Sequence, residues 1–207
     1  MDAEHFQPKY ERLAAYIKSR GSARQLGDIA PVIRRGRQPR YVDQGGVLVI
    51  NSRYVGRQLL NTDDAERTDL QFRHATPAAR TQKGDVLRNS TGVGSIGRAN
   101  CVLHEERTIV DNHVTVIRVA DAQEVDTAYL AVFLNSQLGM LQTEQWLSGS
   151  SGHIELYPAS IAKFWIHLPS IERQVAIGQR VREAYDARQR LMALMEDTRE
   201  LVEQLPA

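Results

Sequence analysis

The C-terminal stretch constrains the fold most. From Ile171 to Leu205 the chain holds one glycine, Gly178, and no proline. Within it Ile177, Val181, Ala184, Arg188, Leu191, Met195, Thr198, Val202 and Leu205 step alternately by four and three residues. That spacing is the a/d seam of a coiled coil, with Arg188 and Thr198 as polar interruptions. A helix of this length rises about 50 Å at 1.5 Å per residue. A small domain cannot cover so long a seam, so a second helix is expected along it; the plainer alternative is a helix folded back on its own domain.

Upstream the texture differs. Phe6, Tyr10, Leu13, Ala14 and Ile17 fall at helical spacing and Gly21 is a natural stop, which predicts an amphipathic helix over 4–20. From there to about residue 119, short β-branched runs such as Val47–Ile50, Val86–Leu87 and Val114–Ile117 alternate with Gly, Asn, Asp and Pro, the pattern of strands joined by long loops. Helical spacing returns over 126–146, as one or two helices around Gly139, and leads to a Ser/Gly segment and a strand over Phe164–Pro169. The expected architecture is α/β (α+β) in three parts: an N-terminal helix in 1–20, a β-rich recognition domain over 21–170, and a long spacer or dimerisation helix over 171–207.

The net charge of +1 conceals a division. Residues 1–118 carry 19 Lys and Arg against 13 Asp and Glu, a surplus of six; residues 119–207 carry 7 against 12, a deficit of five. Between Arg20 and Arg57 eight arginines face only Asp28 and Asp43. Such asymmetry points to a polyanion-facing front half, although a solvated basic loop with no partner has the same composition.

The densest basic segment is Arg34-Arg35-Gly36-Arg37-Gln38-Pro39-Arg40-Tyr41. Arg pairs bidentately with guanine and Gln with adenine, and Arg also anchors phosphate, so double-stranded DNA is the economical partner; these residue types also suit RNA. Asn51 and Arg53 repeat the chemistry at the end of a predicted strand. Arg88, Asn89, Ser90 and Arg98 flank the glycine-rich Gly92–Gly97, and Ser150, Ser151 and His153 lie in the Ser/Gly loop, a segment suited to reaching a groove or to serving as a flexible connector. Gly92–Gly97 satisfies G-x-G-x-x-G, but the next residues, Arg98–Leu103, are strand-like and no acid stands about 20 residues on to hold a ribose, so a tight turn between strands fits better than a dinucleotide site.

Catalysis finds little support: no nucleophile–base grouping, no phosphate loop with its lysine and no adenine-methyltransferase motif is present. Asp111-Asn112-His113 leads into a predicted strand and suits capping or DNA contact better than general-base work. The six histidines show no metal-ligand spacing, and the lone Cys101 admits neither an internal disulfide nor a multi-cysteine zinc site. No metal and no cofactor are expected on the chain. With no basic-then-apolar N-terminal segment and no run of about 18 apolar residues, no membrane association and a cytoplasmic location are expected.

Several short segments, in order, resemble landmarks of type I restriction-modification DNA specificity subunits. Asp2–Tyr10 resembles the opening of their repeat and Gln25–Ala30 the start of their recognition domains; Gly84–Leu87, Gly94–Arg98 and Leu168–Gln174 match further along. Together they span nearly the whole chain. The resemblance implies a non-catalytic subunit that grips one half of a split target, a spacer helix that sets the distance to the other half, and docking to a DNA adenine methyltransferase subunit, with a restriction subunit as a further partner. S-adenosylmethionine is then expected only on the methyltransferase. Full subunits of this family carry two recognition domains and two spacers, whereas this sequence carries one of each. Two copies joined through antiparallel spacers, a pairing with a different half, or a fragment of a longer chain are all consistent with that. The rival from another class is a scaffold whose long helix binds a partner while the basic loops merely solvate it. A nuclease or transcription regulator would need an acidic metal cluster or a helix-turn-helix, and neither is evident.

Overall fold

The computed structural model describes residues 7–44, 46–57, 59–60, 62, 64–104, 108–149 and 154–205. The first helix, α1 (Pro8–Ser19), starts on a proline, whose missing N–H falls where a helix has no use for one. It buries Tyr10, Leu13 and Ile17, the apolar stripe of its sequence. It ends at Gly21, whose φ of +74° continues no right-handed helix.

β1 (Ala23–Gln25) then pairs antiparallel with the last strand, β10 (Trp165–His167), with Arg24 opposite Ile166. This ribbon brings the entry of the chain beside its exit into the long helix. A short helix, α2 (Leu26–Ile29), leads into the principal sheet. That sheet is antiparallel in the order β2 (Val32–Arg35), β9 (Val114–Arg118), β6 (Val86–Asn89) and β7 (Ala99–Cys101). A second sheet runs β3 (Tyr41–Val42), β5 (Arg67–Thr68), β4 (Val47–Ile50) and β8 (Thr108–Val110), its β4–β8 pair parallel.

Helices cover one face of the principal sheet. α4 (Thr127–Asn135) is capped by Asp126, which accepts the Tyr129 N–H at 2.9 Å, and six of its nine residues are buried. α5 (Gln137–Trp146) comes directly after it. The break between them falls at Ser136, three residues before the glycine around which the sequence places it, because the Ser136 hydroxyl caps α5 by accepting the Gly139 N–H. The main core joins these helices to α1, α2 and the sheet through Ile17, Leu26, Val86, Ile117, Leu130, Leu134, Phe164 and Ile166. Each such side chain contributes roughly 1.5–3 kcal/mol on leaving water. α3 (Leu70–Ala75), a single 3₁₀ turn at Pro77–Ala79 and α6 (Pro158–Ile161) complete the connections.

The last helix, α7 (Ile171–Glu203), is continuous over 33 residues, as its composition predicts. Its first part is fastened to the domain. Gln174, buried, donates to the carbonyls of Glu124 and Pro169 and accepts the Asp126 N–H, while Arg182 pairs with the Asp126 carboxylate at 2.5 Å. Ile177 and Val181 pack on the main core. Beyond Arg188 every described residue is exposed, including Leu191, Leu194, Met195, Leu201, Val202 and Leu205 at 57–69%. None of the helices among the described residues is long and apolar enough to cross a membrane.

Candidate nucleic-acid interface

The strand pairings gather several loops at one rim. Arg35 at the end of β2 lies opposite Thr115 near the start of β9; Asn89 at the end of β6 lies opposite Val114; the parallel strands β4 and β8 end together at Ile50 and Val110. The segments leaving these ends are 36–40, 51–55, 90–98 and 111–113, and Ser148 and Glu155 join them.

Each loop is built by its sequence. Gly36 donates to the Val114 carbonyl, and a Cβ there would stand 2.0 Å from the Val110 oxygen, so only glycine lets the basic segment cross the ends of β8 and β9. Arg37 then donates its N–H to the Val110 carbonyl at 3.2 Å. Asn51 forms a local turn, its Oδ1 accepting the Arg53 N–H at 2.9 Å. Gly92, Gly94 and Gly97 all have φ between +81° and +94°, which closes the β6–β7 connection as a tight turn leading into a strand. Thr91 and Ser148 both bridge to Glu155, which sets the two ends of the Ser/Gly loop at this rim.

The predicted contact residues divide into three groups. Arg37, Arg40 and Arg53 are exposed. The guanidiniums of Arg37 and Arg40 make no hydrogen bond or ion pair among the described residues, and that of Arg53 lies 5.9 Å from the Tyr54 ring centroid. Asn51 stands half-buried beside them. A second group is committed to bracing. Arg34 donates to the Pro77 carbonyl at 3.3 Å, and Arg98 donates to the Gly94 carbonyl within its own turn at 2.7 Å. Arg35 pairs with Glu155 at 3.2 Å, donates to the Leu156 carbonyl and lies over the Tyr157 ring, fastening the far side of loop 148–155. Hydrogen bonding from Tyr157, with help from Arg35, holds the Glu155 carboxyl below the usual carboxylate range.

The third group requires a correction. Arg88, Asn89 and Ser90, expected at a DNA contact, have no exposed surface. Arg88 and Asn89 end β6, a strand flanked by β7 and β9 with helices on one face and a second core cluster with the 51–55 turn on the other, and Ser90 follows directly, so each residue points into protein. Arg88 donates to the Thr143 hydroxyl and lies 5.0 Å from the Phe164 ring; burial lowers its pKa to about 9. Asn89 donates to the carbonyls of Ser52, Val55 and Ser95, tying the 51–55 turn to the glycine-rich turn. Ser90 is hydrogen-bonded to Thr115. Ser150, Ser151 and His153 lie outside the described residues.

Glu66 and Glu155 escape a sequence reading, whereas Asp111 and His113 belong to the cluster read as suited to capping or DNA contact. Glu66 reaches the rim from β5 and accepts from Asn51 Nδ2 at 3.1 Å, a partnership fifteen residues apart in sequence. Asp111 is buried, which pushes its carboxyl above the usual range against the pull of the His113 N–H. His113 meets Thr91 at 2.7 Å through Nδ1. Of the two missed residues Glu155 left a signal, as the one acidic residue between Glu144 and Glu172.

Exposed guanidiniums, an amide and a carboxylate thus share one rim, on loops braced from beneath. The described residues include no cluster of His, Cys, Asp and Glu able to hold a metal. The architecture is a rim of loops on a sheet scaffold with a trailing helix. The chain matches the sequence pattern of the type I restriction modification DNA specificity domain over residues 22–196, and it belongs to that family. The family is non-catalytic.

Solved structures agree in fold. The type I restriction-modification system S subunit from M. genitalium superposes with a TM-score of 0.60 at 16% identity, over 88% of this chain and 43% of that one. The HsdS subunit from Thermoanaerobacter tengcongensis gives 0.53 at 17%, over 86% and 40%. A chain from a structure on complex assembly and conformational transition of the type I R-M system gives 0.56 at 15%, over 89% and 43%. The present chain thus spans less than half the length of these neighbours. No curated protein matches it in sequence.

Proposed function

We propose that this chain recognises one half of a bipartite DNA target and directs a type I adenine methyltransferase, with or without a restriction subunit, to it. The observation that carries the reading is the convergence of exposed Arg37, Arg40 and Arg53 with Asn51 on one braced rim. Arginines of this kind anchor phosphates and fix register, while amides and carboxylates beside them address base edges. Ser150, Ser151 and His153, between Ser148 and Glu155 in sequence, are further candidates for contact.

In this reading α7 is the spacer. Its exposed seam pairs with the same helix of a second copy, or with a different half, and so sets the distance between two recognition modules. The exposed apolar residues Leu191, Met195, Val202 and Leu205 favour it. The protein then works in the cytoplasm, and S-adenosylmethionine binds only to the partner methyltransferase.

The test is duplex binding measured across salt concentration, for the wild type and for a variant with Arg37, Arg40 and Arg53 all changed to Ala. Each lost phosphate contact lowers the slope of log affinity against log salt by about 0.9. The variant is expected to bind more weakly on every sequence with a shallower slope. Salt-insensitive wild-type binding, or an unchanged variant, contradicts the assignment.

A further inference from the structure

The rim carries a negative group where a phosphate-binding surface gains nothing from one. Glu66 is exposed, on the same strand ends as Arg37 and Arg53, and any carboxylate there repels DNA phosphates. A carboxylate on such a surface can brace a neighbour, as Glu155 does with Arg35, or accept a hydrogen from a base amino group.

Its neighbour gives the carboxylate a partner of opposite hydrogen-bonding sense. The Asn51 amide is fixed at both ends: Oδ1 accepts the Arg53 N–H at 2.9 Å, and Nδ2 donates to Glu66 Oε2 at 3.1 Å. The backbone N–H of Arg53 requires the oxygen on its side, so the amide cannot turn over. Nδ2 has two hydrogens and the bond to Glu66 uses one; carboxylate oxygens accept more than one hydrogen bond each. The pair therefore offers an amide donor next to a carboxylate acceptor. The Tyr41 phenol oxygen is a second acceptor for the same amide and also takes a hydrogen from Gln38, so a base that accepts from Nδ2 displaces Tyr41.

In the major groove guanine presents two acceptors, cytosine one donor and thymine one acceptor with a methyl group. Adenine alone sets an acceptor, N7, beside a donor, the N6 amino group. We infer that Asn51 and Glu66 together read one adenine of the target, Asn51 donating to N7 and Glu66 accepting from the N6 amino group. This rests on the rim being the DNA face, and it makes Glu66 a specificity-determining residue that lowers general affinity.

The experiment is sequence selection from random duplexes by the full chain with a type I methyltransferase subunit, comparing wild type, Glu66→Gln and Glu66→Ala. Wild type is expected to select a sequence with a fixed adenine. In Glu66→Ala the preference for that adenine falls about tenfold, the other positions are retained, and binding to unrelated duplexes strengthens. In Glu66→Gln, which keeps shape and can turn its amide to present a second donor, the preference moves toward guanine. Thermal melting of each variant secures the comparison, since Glu66 is exposed and its loss leaves no cavity. A wild type that selects no sequence overturns the DNA reading as a whole. A wild type that selects a sequence which both variants reproduce, or one with no adenine, leaves that reading standing and overturns the role of Glu66.

Discussion

Arg88 has a hydroxyl and an aromatic ring as its partners, and its Nε and Nη1 find no acceptor. Breaking a buried ion pair by removing one partner is costly, but a buried cation that lacks a carboxylate gains little from its charge, and apolar replacements of similar volume are often neutral or stabilising by about 1–4 kcal/mol. Arg88→Met is therefore expected to melt no lower than wild type in a thermal scan, and to bind duplex DNA with unchanged affinity and salt slope. A well-folded Arg88→Met protein with a clear loss of affinity would show that this guanidinium reaches the nucleic acid after all. By contrast Arg37, Arg40 and Arg53 are exposed on loops, and their replacement leaves the fold intact. Neighbouring arginines in one basic chain thus divide between bracing and exposure, and what divides them is the strand or loop beneath.

Among the elements, those with a helical period were open to reading in advance. α1, α4 with α5, and α7 follow from the spacing of their apolar residues, and the glycine-rich turn is legible from the strand-like residues after it. The sheets were less legible. The β4–β8 pair is parallel between strands nearly sixty residues apart, and β1 joins β10 across most of the chain, which no local pattern announces. The burial of Arg88-Asn89-Ser90 was hidden for the same reason: β6 becomes a flanked strand only when β7 and β9 close around it. The Asn51–Glu66 pair likewise exists only once β5 lies beside β4. At this scale the exposed part of α7 makes its own prediction. Changing both Leu191 and Met195 to Asp places charges on the seam, where they have no contact to lose within the domain. The mass by light scattering is expected to fall from two copies to one, with the melting temperature of the recognition module unchanged. A wild type that is monomeric at every concentration and with DNA contradicts pairing between copies.

For the whole molecule, charge and shape divide the labour in the same way. The front of the chain holds the surplus of six positive charges and the arginines of the rim; the back holds the deficit of five and a helix about 50 Å long that leaves the domain beside its entry. Two copies joined along antiparallel seams are related by a twofold axis, and so carry identical rims a fixed distance apart. Their combined target must be an inverted repeat with a constant gap, as dimeric readers of DNA impose on their half-sites. Sequence selection from a library of random duplexes, by the chain together with a type I methyltransferase subunit, tests this most directly. The prediction is a two-part target, the same sequence inverted in each half, at one spacing and with affinity that falls as salt rises. Enrichment of no sequence, at any spacing, would contradict it.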